Sequence, residues 1–267
     1  VFDKIVIAVK ENSGKKIVLK KNRQAKQNAG EAGLIRLNRY ISNAGVCSRR
    51  DADKLIRDGL VTVNGQVIAE MGYKVSLSDE VRYNGKLLNP ERKVYLLLNK
   101  PRGYVTTLDD PHAGRTVMQL VANACPERIY PVGRLDTQTT GVLLFTNDGE
   151  LARKLTHPGY EKKKIYHVHL DRDFRPDDLE KLRNGIELDD GFIAADAIEM
   201  IDPKDARQVG IEIHSGRNHI VRRMFNHLDY QVVKLDRVLF AGLTKKDLPR
   251  GRYRFLTERE INFLKMS

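Results

Sequence analysis

The run Val142-Leu143-Leu144-Phe145-Thr146 leaves little choice of structure. Its residues are apolar, β-branched or aromatic, so they belong in a buried strand rather than a surface loop. Asn147-Asp148-Gly149 follows, and its turn chemistry ends the strand. The residues before it read Gly133-Arg134-Leu135-Asp136-Thr137-Gln138-Thr139-Thr140-Gly141. Asp136 therefore sits on the loop that enters a core strand, where rigid scaffold holds it. Asp is depleted from strands and favours turns and caps, so local chemistry alone leaves a turn-forming or helix-capping carboxylate open.

The wider string is more specific. Arg-Leu-Asp-x-x-Thr-Thr-Gly, followed by apolar residues and Thr-Asn-Asp-Gly, resembles the catalytic motif of the pseudouridine synthases. Within them it is similar to the branch named after RsuA, whose members modify ribosomal RNA. Thr140 stands where that motif usually has Ser, a change that keeps the hydroxyl. The match extends over about a dozen ordered positions, far more than a short glycine pattern offers.

Charge points the same way. The 267 residues carry a formal net charge of +12, which calls for a polyanionic partner, either nucleic acid or an acidic membrane surface. Residues 1–60 hold 14 Lys and Arg against 6 Asp and Glu, 14 − 6 = +8, so most of the excess lies in the first quarter. No apolar run approaches the roughly 20 residues needed to span a bilayer. The apolar stretch Ile5 to Val9 is too short for a signal peptide. Cys47 and Cys125 are far apart. The expectation is a cytoplasmic monomer that binds RNA and no membrane.

Length favours two domains. Residues 1–33 read as a disordered basic tail giving loose phosphate contacts. From 34 to 88 the pattern is compact. Leu37, Tyr40, Ile41 and Ala44 recur at helical spacing up to Gly45. Ser48-Arg49-Arg50-Asp51 has the form of a capping box, and a second helix runs to Gly59 with Ala52, Leu55 and Ile56 inward. Asn64-Gly65 and Asn84-Gly85 then mark hairpins. Arg36, Arg39, Arg49, Arg50 and Lys54 make a basic face on the helices, read either as solvated charge or as an RNA contact. This block is similar to the RNA-binding module of ribosomal small-subunit protein four, carried by Arg36-Leu37-Asn38-Arg39-Tyr40-Ile41 and Gly45 to Ala52. That resemblance favours the RNA contact. Residues 89–93, with Asn89-Pro90, form a linker.

From 94 to 267 short strands and helices alternate without a βαβ period, with strands expected at 94–98, 129–132, 142–146, 165–170, 194–200, 208–214 and 232–235. The class is α+β. The resemblance implies a pseudouridine synthase domain built on a mixed, largely antiparallel sheet with a central cleft.

It also implies site residues. Asp136 is the catalytic carboxylate. Lys100-Pro101-Arg102-Gly103 resembles the first synthase motif; Pro and Gly alone would make it a strand-ending turn, with Lys100 a phosphate contact. Lys164-Ile165-Tyr166-His167-Val168 matches the family's Lys-x-Tyr-x-Val, which places Tyr166 against the target base, a stacking contact worth about 1–3 kcal/mol. Arg222, on the apolar helical stripe Ile220 to Phe225, aligns with the arginine that pairs with the catalytic Asp; Ile220 replaces the usual polar residue. Arg134 resembles an arginine around the flipped nucleotide, with a structural salt bridge as the alternative. Arg217 and Arg223 read as surface or phosphate contacts. His214, His219 and His227 fit no metal-ligand spacing, so no metal is expected. The implied reaction detaches uracil from ribose C1′, turns it and rejoins it through carbon 5. No atom is gained or lost, so no cofactor is needed. The implied partner is ribosomal RNA or a pre-ribosomal particle. A non-catalytic RNA-binding assembly factor and a two-carboxylate glycoside hydrolase are the competing classes. The second needs an acid partner for Asp136, and only Asp148 offers one.

Overall fold

The computed structural model describes residues 33–108 and 114–266. The tail expected over 1–33 falls outside the described residues, Gly33 apart. A boundary between Lys93 and Val94 divides the described chain into two compact units.

In the first unit β1 (Ile35–Arg36) leads into α1 (Leu37–Asn43) and α2 (Arg49–Arg57). The Ser48 hydroxyl oxygen accepts from the Asp51 amide at 3.2 Å, and its proton goes to Asp51 Oδ2 at 2.6 Å. Such an N-cap is worth about 1 kcal/mol. Leu37, Tyr40 and Ile41 of α1 close on Ala52 and Ile56 of α2 in one small core. Then come β2 (Val61–Val63), β3 (Gln66–Val67), β4 (Lys74–Val75), β5 (Val81–Tyr83) and β6 (Lys86–Leu87). They form a sheet in the order β3-β2-β5-β6, while β4 pairs with β1. Asn64 and Asn84 have φ of 50° and 47°, and the glycines after them 82° and 77°. Two left-handed residues in succession are what a two-residue hairpin turn of the favoured hand requires.

The second unit contains β7 (Tyr95–Lys100), β8 (Tyr130–Pro131), β9 (Thr140–Thr146), α3 (Gly149–Thr156), β10 (Lys164–Leu170) and α4 (Pro176–Asn184). It continues with β11 (Ile186–Leu188), β12 (Gly191–Ile193), β13 (Ala197–Met200), β14 (Gln208–Ile213) and α5 (Ile220–Asn226). β15 (Val232–Phe240), β16 (Leu243–Thr244), β17 (Tyr253–Phe255) and α6 (Glu258–Met266) complete it. The main sheet runs β13-β14-β10-β15-β9-β7-β17. Pairing along it is antiparallel except between β9 and β15, which are parallel. The α+β class and the mixed, largely antiparallel sheet are as expected.

The run at 142–146 is continuously apolar because both faces of β9 are covered. Leu143 and Phe145 enter one core with Leu96 and Leu98; Val142 and Leu144 enter the other with Leu97. Each such side chain contributes about 1.5–3 kcal/mol through burial. This central strand is the platform on which the Asp136 loop stands. β15 continues to Phe240, beyond the expected end at Leu235, and the β11–β12 hairpin was not expected.

Candidate active site

Asp136 lies in the loop from β8 into β9. The loop turns on itself, with the Thr139 amide donating to the Asp136 carbonyl oxygen at 3.0 Å. Thr106 clamps the preceding residue: its hydroxyl donates to the Leu135 carbonyl at 2.6 Å and accepts from the Leu135 amide at 3.2 Å. The carboxylate remains accessible, its side chain 35% exposed. It lines a cleft of about 980 Å³ together with Arg134, Lys164, Tyr166, His219 and Arg237. Cations predominate on that wall.

Lys100 requires a correction. It is fully buried at the end of β7. Its ammonium donates to the carbonyl oxygens of Thr139 at 2.9 Å, Asp136 at 3.1 Å, Pro101 at 3.2 Å and Thr137 at 3.4 Å. An enclosed ammonium cannot meet a phosphate. Lys100 instead pins the Asp136 loop from beneath. Burial pulls it down to about 8, opposed by the nearby Asp136 carboxylate and reinforced by Arg250.

Arg222 also differs from expectation. The carboxylate of Asp136 is held by His219, whose Nε2 lies 3.1 Å from Oδ1, and by the Thr139 hydroxyl, 3.4 Å from Oδ2. Arg222 makes no ion pair with it among the described residues. Its Nη1 donates to the Val232 carbonyl oxygen at 2.8 Å, which ties α5 to the start of β15. Burial lowers the guanidinium from its usual value, and Asp136 opposes the shift. The two charges therefore feel one another without a fork between them.

Tyr166 stands on β10 and reaches the cleft, but only 8% of it is exposed. So small an opening offers a base an edge of the ring rather than a free stacking face. Arg134 lines the cleft and makes no hydrogen bond or ion pair among the described residues, which removes the structural salt bridge considered for it. Lys164, also on the cleft wall, donates to the His214 carbonyl at 2.5 Å, and burial and Arg237 draw it down to about 8.

Several residues were not foreseen. His219, which the sequence offers only as a candidate metal ligand, sits before α5 with φ of 49°, and this left-handed step turns its ring to Asp136. Asp236 and Arg237 lie on β15 beside the loop. The Asp236 carboxylate accepts from the Thr140 hydroxyl at 2.9 Å and from both Arg250 nitrogens at 3.1 Å, and pairs with Lys245. Burial pushes Asp236 up, but Arg250 and Lys245 hold it below its usual value. Arg217 and Arg223, expected as surface or phosphate contacts, pair with Asp190 at 3.2 Å and 2.7 Å and brace α5 against the β11–β12 turn. Asp148 is no acid partner for Asp136: it caps α3 and accepts from the Tyr95 hydroxyl at 2.8 Å.

In the other unit Arg36, Arg49, Arg50 and Lys54 are exposed and Arg39 is half-buried. Lys54 also pairs with Asp51 at 3.0 Å. Among the described residues, no group of three or more His, Cys, Asp and Glu is placed to hold a metal ion. No described helix is long and apolar enough to cross a membrane.

Comparison with known proteins accounts for both units. A family model described as RNA pseudouridylate synthase matches residues 94–227, and the S4 domain model matches residues 35–81. Ribosomal large subunit pseudouridine synthase B of Bacillus subtilis (strain 168) is 42% identical over 235 residues, covering 87% of this chain and 96% of that protein. An RNA pseudouridine synthase of Aquifex aeolicus (strain VF5) is 38% identical over 229 residues, covering 85% of this chain and 92% of that one. Among solved structures, a crystal structure of a pseudouridylate synthase superposes with a TM-score of 0.62 at 31% identity, covering 86% of this chain and 99% of that chain. This chain belongs to the RNA pseudouridylate synthase family, an isomerase with an S4 domain ahead of its catalytic domain.

Proposed function

We propose that this enzyme converts a specific uridine of large-subunit ribosomal RNA, free or in a pre-ribosomal particle, into pseudouridine, with Asp136 as its catalytic carboxylate. The observation that carries the reading is an accessible carboxylate set in a cation-lined cleft on a pinned loop. The large-subunit assignment rests on the likeness to the Bacillus subtilis ribosomal large subunit pseudouridine synthase B. We place the enzyme in the cytoplasm as a monomer, since one chain supplies both the RNA-binding unit and the cleft, and neither cysteine is in a disulfide.

Asp136 acts through its carboxylate. What it needs is direction. His219 and Thr139 fix the carboxylate, and Lys100 fixes the backbone beneath it. The carboxylate then either attacks ribose C1′ or removes a ribose proton. The target nucleotide must first leave its stack, at a cost of a few kcal/mol. Arg134, without a protein partner, is suited to a phosphate beside the flipped nucleotide, and Tyr166 to the base. Arg36, Arg39, Arg49, Arg50 and Lys54 hold RNA farther along and offset the cost of flipping.

Asp136→Asn tests the reading, because it is nearly isosteric and removes the anionic oxygen. The variant is expected to fold and bind RNA but form no pseudouridine when ribosomal RNA from deletion cells is mapped after complementation. Turnover by a contaminant-free preparation, or the modified site appearing in small-subunit RNA, overturns the corresponding part.

A further inference from the structure

Arg237 is a charged residue in the wrong place for simple stability. It is 3% exposed. Its Nε donates to the Val142 carbonyl oxygen at 2.9 Å, and its guanidinium carbon lies 4.6 Å from the centroid of the Phe240 ring. Nη2 is enclosed without an acceptor. Among the described residues no carboxylate pairs with it. Burying a cation without a counter-ion costs several kcal/mol, and burial does lower this guanidinium from its usual value, opposed by the Tyr166 hydroxyl. A leucine would fill the site more cheaply.

Its position suggests what the charge serves. Tyr166 and Arg237 are direct partners in the antiparallel β10–β15 ladder, so their side chains rise on one face of the sheet. Both line the cleft that holds Asp136. On the other side Arg237 pairs with Gly141 across the parallel junction, at the end of the Asp136 loop.

We infer that Arg237 is a positioning residue for the isomerisation, occupying the acceptor side of the Tyr166 hydroxyl so that the phenol's proton points into the cleft at a carbonyl oxygen of the detached uracil. The inference rests on the reading of Asp136 and Tyr166 given above. A guanidinium only donates, so a phenol facing it must accept and is left to donate its single proton elsewhere. When the C1′–N1 bond breaks, its electron pair stays on uracil, and the negative charge spreads over N1 and the two carbonyl oxygens. A donor aimed at such an oxygen binds the charged base more strongly than the neutral uridine, which lowers the barrier rather than KM. Carbon 5 then supplies the pair for the new bond to C1′, the Asp136 carboxylate leaving C1′ or returning the ribose proton it took, and carbon 5 loses its proton while N1 gains one, so the charge disappears and the atoms balance. The anion that offsets Arg237 exists only during the reaction.

The test compares Arg237→Gln, Arg237→Lys, Tyr166→Phe and the Arg237→Gln/Tyr166→Phe double variant in the full chain, on a short RNA carrying the target uridine. Arg237→Gln and Tyr166→Phe are each expected to lower kcat about 30- to 100-fold with KM changed less than about 3-fold. The double variant should fall no more than about 3-fold below Tyr166→Phe, because both changes remove one device. Arg237→Lys, which keeps a cation and a donor, should recover most of the rate. Multiplying losses in the double variant, or a change confined to KM, overturns the inference. If Arg237→Gln does not fold, Tyr166→Phe decides, since a wild-type rate there leaves no hydroxyl for Arg237 to position. Active Tyr166→Phe beside inactive Asp136→Asn defeats this inference alone, whereas active Asp136→Asn defeats the reading beneath it.

Discussion

The ammonium of Lys100 lies 3.1 Å from the carbonyl oxygen of Asp136, so the backbone of the proposed catalytic residue is tied to a cation that solvent does not reach. Four carbonyl oxygens share three N–H bonds there. Replacing Lys100 by Met keeps most of the length of the side chain and takes this donor from all four, leaving Asp136 and Thr137 only the Thr139 and Gly103 amides. Each lost charged hydrogen bond costs about 1.5–3 kcal/mol in a buried setting. Lys100→Met should lower the melting temperature and reduce kcat at least about tenfold. A variant with wild-type melting and turnover shows that the loop does not depend on this contact.

Titration of the same group has opposite effects on rate and stability. The folded value of about 8 lies below the usual 10.5. Between the two the unfolded chain holds the proton and the folded chain does not, so this group's contribution to stability rises with pH across that window. Its charged form is the one that grips the loop. We expect kcat to fall on an alkaline limb centred near 8, without a parallel loss of stability from this residue. A rate flat to pH 9.5 removes Lys100 from the limb.

Gly141 and Arg237 pair so closely that a β-carbon on Gly141 would lie 2.1 Å from the Arg237 carbonyl oxygen. Gly141 also has φ of 110°, where L side chains are strained. Gly141→Ala must therefore push β9 from β15 at their parallel junction. The expected destabilisation is about 3 kcal/mol or more, read from denaturant unfolding. A loss under about 1 kcal/mol means that the strands separate easily.

The difference between what sequence revealed and what it hid follows from which signals are local. β9 announces itself by its continuous apolar run, β10 and the helices α1, α2 and α5 by period, and Asp136 by its motif. β15 runs past Leu235 through Asp236, a residue type that strands avoid, which hides its continuation from the sequence. Only the pairing of Asp236 with Lys245 and Arg250, and of Arg237 with Tyr166 in the ladder, keeps the strand going. The β11–β12 hairpin has two three-residue strands, too short for a period, and its Asp189-Asp190 turn is not a favoured pair. Arg217 and Arg223 looked solvated because their partners, Asp189 and Asp190, lie some 30 residues away in the chain. His219 shows no distinguishing neighbour in sequence; its role depends on the left-handed step before α5.

Since Arg222 lies near the Asp136 carboxylate without a fork between them, a role by charge predicts that Arg222→Lys and Arg222→Met separate. The lysine keeps the cation and loses a single carbonyl contact. It should stay within about tenfold of wild-type kcat, whereas the methionine should lose about 30- to 100-fold, roughly 2–3 kcal/mol of barrier. Equal losses in single-turnover assays would mean that guanidinium geometry matters after all.

His219 holds Asp136 at 3.1 Å, yet both side chains are well exposed, 53% and 35%. Exposed pairs contribute about 1 kcal/mol or less. His219→Gln retains a donor at a similar reach and should melt like the wild type, with kcat within about tenfold. A loss as deep as that of Asp136→Asn would make His219 a participant in the chemistry rather than a holder of the carboxylate.

The basic face of the S4 domain offers the last prediction, since its residues belong to a different unit from Asp136. Arg49 and Arg50 open α2 and are exposed, and neither contributes to the small core of that unit. Their replacement by Ser should leave folding intact. A phosphate contact releases counterions, so each one lost lowers the slope of log affinity against log salt by about 0.7–0.9. The double change should weaken RNA binding, reduce that slope by between about 0.7 and 2, and leave kcat on a saturating short RNA unchanged. Binding at several salt concentrations gives the slope directly. An unchanged slope would mean that these arginines meet no phosphate; a fall in kcat at saturation would mean that they influence the reaction itself.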